Sequence, residues 1–189
     1  LNLRYPPQFF HVSNPDEVQE KIDTADVDLV IIIPGFASGN FESVARDIKK
    51  INNEIPIVVL SSSSKTLQEI VNRHTSDSPF SYVFYWLGSI DILLAIIKLI
   101  EDKMNIDHDV FEVGLQAILF VEDSVKTYSM YLPLMYKLIF TQSKAFMSEG
   151  LNEHQKMLRL RGRPKILLAT DYEEAIYHYE KYKTHLLGI

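Results

Sequence analysis

Val27-Asp28-Leu29-Val30-Ile31-Ile32-Ile33 (VDLVIII) is the stretch that decides the fold class. It is short, apolar and β-branched, and its pattern does not alternate. Alternation marks a strand with one wet face, whereas a continuous apolar run predicts a strand buried on both faces, as in a parallel sheet. Pro34-Gly35 and Gly39 break it into a loop. Similar runs occur at 8–12 (QFFHV), 57–60 (IVVL), 82–87 (YVFYWL), 116–121 (QAILFV) and 165–169 (KILLA). Between them the spacing is helical. Val18, Ile22 and Ala25 share a face over 15–25, behind a Ser13-Asn14-Pro15 entry suited to capping. Val44, Ile48 and Ile51 do the same over 41–52, Leu67, Ile70 and Val71 over 65–73, and Ile92, Ile96 and Ile100 over 90–104. A further helical stretch runs from 124 to about 163, with Pro133 predicting a kink or a late start and Gly150 a second break. Thr170-Asp171 caps a last helix with Ala175, Ile176 and Tyr179 on one face. Strands alternating with helices predict an α/β fold with a doubly wound parallel sheet, whose functional edge is the set of loops after the strands.

Composition narrows the function. The chain has 189 residues, 47% hydrophobic and 23% charged, as in an ordinary globular protein. Nineteen basic against 25 acidic residues give a net charge of -6, which argues against nucleic acid as a partner. The absence of cysteine removes disulfides, thiolate metal sites and cysteine nucleophiles, and fits a reducing, cytoplasmic setting. No apolar run reaches the ~18 residues of a membrane span, and no secretory signal opens the chain. Leu1 in place of Met predicts a piece of a longer protein. The sequence carries no Ser-His-Asp order, phosphate-binding glycine loop, dinucleotide fingerprint or HExxH string, so no enzyme is expected.

Three strings resemble parts of a bacterial two-component receiver domain. Asp28 to Gly35 (DLVIIIPG) resembles its third strand, Pro56 to Ser61 (PIVVLS) its fourth, and Ile118 to Ser124 (ILFVEDS) its first. The resemblance implies a flavodoxin-like sheet. Residues 1–104 would be a degenerate receiver lacking its first strand and helix, 105–114 a linker, and 115–189 the opening half of a second receiver. Residues 92–103, 149–152, 158–161 and 163–170 further resemble the regulatory region of bacterial phosphoenolpyruvate synthase-like or pyruvate phosphate dikinase-like proteins. That likeness implies contacts with other domains of the parent, and the receiver resemblance implies a homodimer.

The departures from the receiver pattern shape the functional expectation. Ile33 stands where the phosphoacceptor aspartate belongs, and an alkyl chain accepts no phosphoryl group. No lysine lies near Trp86 or Leu87, where the fifth strand should supply one. Ser61 keeps the hydroxyl position. Glu122 and Asp123 match the acidic pair that holds magnesium, with their acceptor expected on a strand beyond Ile189. The expected function is a noncatalytic, receiver-like signalling module without a bound cofactor. The alternatives are a phosphorelay receiver holding magnesium through Glu122 and Asp123, and a small-molecule sensor using the strand C-terminal edge with the Ser61–Ser63 amides as anion donors. Because the first module lacks a central strand, 116–121 is expected to insert beside 27–33, giving a permuted or domain-swapped sheet.

Other groups have plain readings beside sharp ones. Lys156, Arg159, Arg161, Arg163 and Lys165 could bind phosphate or a partner's acidic surface, but read more simply as a solvated face. His108 between Asp107 and Asp109 hints at a metal, and otherwise sits in a solvated hinge. His11, His74, His154, His178 and His185 are scattered. Tyr128, Tyr131, Met135 and Tyr136 form either a helix–helix interface or packing on their own sheet.

Overall fold

The computed structural model describes residues 7–35, 41–73, 78–145 and 162–189. In chain order these form α1 (Pro15–Thr24), β1 (Val30–Ile32), α2 (Phe41–Ile51), β2 (Ile57–Ser61), α3 (Ser64–Arg73), β3 (Tyr82–Tyr85) and α4 (Asp91–Asp107). A π-helical turn (His108–Glu112) continues α4. Then follow β4 (Ala117–Val121), α5 (Val125–Ala145), β5 (Lys165–Ala169), α6 (Tyr172–Tyr182) and β6 (Leu186–Gly188). The fold is α/β, and among the described residues every strand pair is parallel. They make two three-stranded sheets, ordered β1-β2-β3 and β5-β4-β6.

Strand parity sorts the side chains into three cores. Val58, Leu60, Tyr82 and Phe84 of the first sheet share a core with Ile166 and Leu168 of the second, through α4 and α5. Ile57, Val59 and Val83 point the other way, onto Ala45, Ile48, Leu67 and Ile70 of α2 and α3. Ala117, Leu119, Leu167 and Ala169 pack on Ile106, Val110, Ala175 and Tyr182. This is the period-two alternation of strands whose two faces are both covered.

The facing edges of the two sheets are closed by side chains. Outward backbone groups of an edge strand need partners or they template aggregation. On β3, the Tyr128 hydroxyl donates to the Val83 carbonyl and the Tyr85 N–H donates to Ser129 Oγ (2.9 Å). On β5, the Ile166 N–H donates to Asp102 (3.0 Å), and the Leu168 carbonyl accepts from the Tyr82 hydroxyl (3.3 Å). The Thr170 N–H just beyond β5 donates to Glu174 (3.2 Å). The helices α4 and α5 thus join the sheets without a shared ladder.

Several expectations need correction. Residues 116–121 do not insert beside 27–33: β4 pairs with β5 and β6, and β6 holds the side of β4 that the expectation gave to β1. A short strand that the sequence reading did not expect, β6, begins at Leu186. β1 is an edge strand, so it is half-buried rather than buried on both faces. Residues 8–12 form no strand, and Phe9 and Phe10 are exposed. Asn105 to Glu112 is helical, with Ile106 and Val110 buried. α5 begins at Val125 and runs through Pro133, so the late start is excluded. α6 buries Ala175, His178 and Tyr182, not Ile176 and Tyr179, because the face turned to the sheet is rotated around the helix.

Candidate functional site

The C-terminal edge of the first sheet holds Ile33 and Ser61. Ile33 directly follows β1 and is 62% exposed. Ser61 ends β2, buried, and its Oγ accepts the Ser63 N–H (3.2 Å), while its carbonyl accepts the Trp86 N–H (2.9 Å). Ser63 Oγ in turn accepts the Thr66 N–H (3.2 Å) in the first turn of α3. The serine run is therefore engaged in capping.

The corresponding edge of the second sheet holds Glu122 and Asp123, just before α5. The Glu122 N–H donates to the Ala169 carbonyl (3.0 Å), which extends the β4–β5 ladder by one bond. Its carboxylate accepts the Ser124 N–H (3.0 Å), and Ser124 Oγ accepts the Thr127 N–H (3.4 Å). Asp123 is exposed. Among the described residues, no third histidine or acidic side chain joins this pair in a group suited to a metal ion. Carboxylates here meet the positive end of the α5 dipole, which favours them with or without an ion.

His108 does not draw its neighbours into a metal site. The Asp107 carboxylate takes Lys181 (2.8 Å) and the Tyr182 hydroxyl (2.6 Å), and those two bonds hold its pKa below the usual carboxylate range. Asp109 takes Lys165 (2.9 Å). His11 is exposed, and His185 lies edge-on to Phe111 with Nδ1 2.9 Å from Thr184 Oγ1. His74 and His154 lie outside the described residues.

The basic run is neither a phosphate site nor a solvated face where it is described. Arg163 is buried and forms a fork with Asp102, at 2.6 and 2.8 Å. Lys165 is buried against Asp109 and lies 4.0 Å from Asp102. Lys156, Arg159 and Arg161 fall outside the described residues. Asp102, which sequence reasoning missed, is fully buried and also accepts from the Tyr136 hydroxyl (3.1 Å). Burial and the Asp102 charge push the Tyr136 hydroxyl well above its ordinary pKa.

A second polar chain links the sheets. Lys103 donates to the Tyr82 hydroxyl (3.0 Å) and to Glu174 (3.2 Å). Burial raises the pKa of Glu174, but His178, Lys103 and the Thr170 N–H outweigh it and bring it down to about 2. His178 is buried with Nε2 3.6 Å from Glu174, just beyond hydrogen-bond range, and neither ring nitrogen has a hydrogen-bond partner among the described residues.

The outer face of α5 differs from both edges. Tyr128, Leu132, Tyr136 and Ile139 turn inward, whereas Met130, Tyr131, Leu134 and Leu138 are exposed, Leu134 at 56% and Leu138 at 58%. Of the tyrosines and Met135 expected to form an interface, Tyr128 and Tyr136 pack inside, Met135 is half-buried and Tyr131 lies outside. The open stripe lies about a third of a turn round the helix from the buried one. Only the helix's apolarity on all sides signalled it in the sequence. Compared with known proteins, the chain matches no family model, no curated protein and no solved structure.

Proposed function

We propose that this chain is a noncatalytic, receiver-like regulatory module of a larger bacterial protein of the phosphoenolpyruvate synthase-like type, acting in the cytoplasm by protein or interdomain contacts. The exposed apolar stripe of α5 carries the reading: Met130, Tyr131, Leu134 and Leu138 offer contact area on a helix anchored by its opposite face. Strand order supports the receiver-like part. In the flavodoxin-like order 2-1-3-4-5, β1-β2-β3 reads as 3-4-5 and β5-β4-β6 as 2-1-3. Ile33 supports the noncatalytic part, since it sets a methyl-bearing chain at the acceptor position.

One observation favours a phosphorelay receiver as the second reading. β4 lies between β5 and β6, so Glu122 and Asp123 end the central strand of their sheet. The test is a titration with magnesium and beryllofluoride, read by amide chemical shifts. No change at Ile33, Ser61, Glu122 or Asp123 is the expected result. A saturable shift centred on Glu122 and Asp123 overturns the first reading in favour of the relay.

A further inference from the structure

The α5 stripe is flanked by cations. No Asp or Glu occurs from Val125 to Ala145, in a chain whose net charge is -6. Lys126 and Lys137 lie about three helical turns apart, on the Met130 and Leu134 side of the stripe. Both are exposed. Lys126 lies 5.5 Å over the Tyr85 ring, and Lys137 makes no ion pair with any described residue. Apolar residues at i, i+4 and i+8 beside a row of cations are the mirror of one kind of partner.

Resting on the contact reading above, we propose that the outer face of α5 docks an acidic amphipathic helix of a partner protein or partner domain. Its apolar face covers Met130, Leu134 and Leu138, and its carboxylates meet Lys126 and Lys137. The charge pattern selects against a second copy of this face. Two α5 helices brought together antiparallel would set lysines beside lysines with no carboxylate on either helix to offset them.

The probe is a set of three synthetic helical peptides with the same leucine stripe, carrying Glu, Gln or Lys along one flank. Each is titrated into the isotope-labelled chain and read by amide shifts. The Glu peptide is expected to shift residues 126–138, to bind about tenfold more tightly than the Gln peptide, and to weaken as salt is raised. Leu134→Asp, a change at an exposed position, is expected to weaken binding about tenfold or more. Lys137→Glu, which leaves Lys126 as the flank's other charge, is expected to abolish the preference between the Glu and Lys peptides. Tyr131→Ser provides a second variant should Leu134→Asp disturb folding. Equal binding of the Glu and Lys peptides, or no shift with any peptide, overturns the proposal. Concentration-dependent dimers in light scattering, abolished by Leu134→Asp and unaffected by the Glu peptide, overturn it in favour of self-association. The magnesium and beryllofluoride result is independent of all three, so the two readings fail separately.

Discussion

Asp102→Asn removes the charge at the centre of the joint between the sheets. Asp102 is fully buried and accepts four hydrogen bonds: two from Arg163, one from Tyr136 and one from the Ile166 N–H. Arg163 is nearly as inaccessible, at 3%. Burial works against its charge, but the fork to Asp102 outweighs burial and holds its pKa above the ordinary arginine value. Without that fork, the intrinsic basicity of the guanidinium still keeps it charged when the partner is neutralised. Breaking a buried pair from one side costs about 3–5 kcal/mol. Asparagine retains an oxygen for the Ile166 N–H, so the substitution falls near the lower end, about 3 kcal/mol. Asp102→Ala also orphans that N–H, which adds about 1–3 kcal/mol. Small domains hold about 5–15 kcal/mol in total, so either change removes a large share. With a urea slope of about 2 kcal/mol per molar, Asp102→Asn should lower the unfolding midpoint by about 1.5 M. Adding Arg163→Met removes the stranded charge, and the double variant should recover about 2 kcal/mol relative to additivity. Lys181→Met, which breaks the more exposed pair with Asp107, serves as the control and should cost under about 1 kcal/mol. A loss below about 1 kcal/mol for Asp102→Asn, or strict additivity in the double variant, refutes the reasoning.

Further outcomes follow from the same bonds. Glu174 has a folded pKa of about 2 against an ordinary 4.5, so its stabilisation is present above pH 4.5 and is lost as pH falls through about 2. Urea melts of Glu174→Gln and the parent chain should differ by about 1–2 kcal/mol at pH 7, after discounting for solvent screening, and converge near pH 2. Ser129→Ala leaves the Tyr85 N–H without its acceptor and should cost about 1–3 kcal/mol, with faster amide exchange at Tyr85. Tyr128→Phe strips the donor from the Val83 carbonyl, and thermal unfolding should report a loss of about 1 kcal/mol. Gly114 has φ +77° with open space where a Cβ would stand, so Gly114→Ala should cost about 1 kcal/mol from backbone strain alone.

The sequence shows where strands form better than it shows which of them pair. Short apolar runs located β1 to β5, and Asp171 caps α6 through the Glu174 N–H (2.7 Å) as its position predicts. The expectation failed at the neighbour of β4. Any parallel apolar strand fits beside it, so pattern alone could not choose between β1 and β6. Connectivity chooses. After α6, a turn in which the His185 N–H donates to the Tyr182 carbonyl (2.8 Å) leads straight into β6, which lies parallel along β4. β6 escaped notice because Leu186-Leu187-Gly188 is too short to stand out from a helix end. Residues 8–12 failed in the opposite sense: their aromatic residues have strand propensity, which yields to tertiary context.

The buried charges were hidden for a different reason. Glu101-Asp102-Lys103 reads as a solvated helix face, and Arg163-Pro164-Lys165 as part of a basic surface, because composition does not show what an edge strand demands. Backbone accounting does. With Lys165 donating its N–H to Gln116 and Ala169 offering its carbonyl to Glu122, the odd residues of β5 serve β4. The even ones, Ile166 and Leu168, turn outward and need an acceptor and a donor from beyond the strand. A carboxylate at Asp102 and a hydroxyl at Tyr82 meet these needs in kind. A carboxylate so buried must then be neutralised, which the fork of Arg163 does within the same side-chain cluster. The order of causes runs from an unpaired edge, to a buried acid, to a buried base. It assigns these charges to architecture, and it leaves the outer face of α5, where no backbone group demands a partner, as the surface on which to look for function.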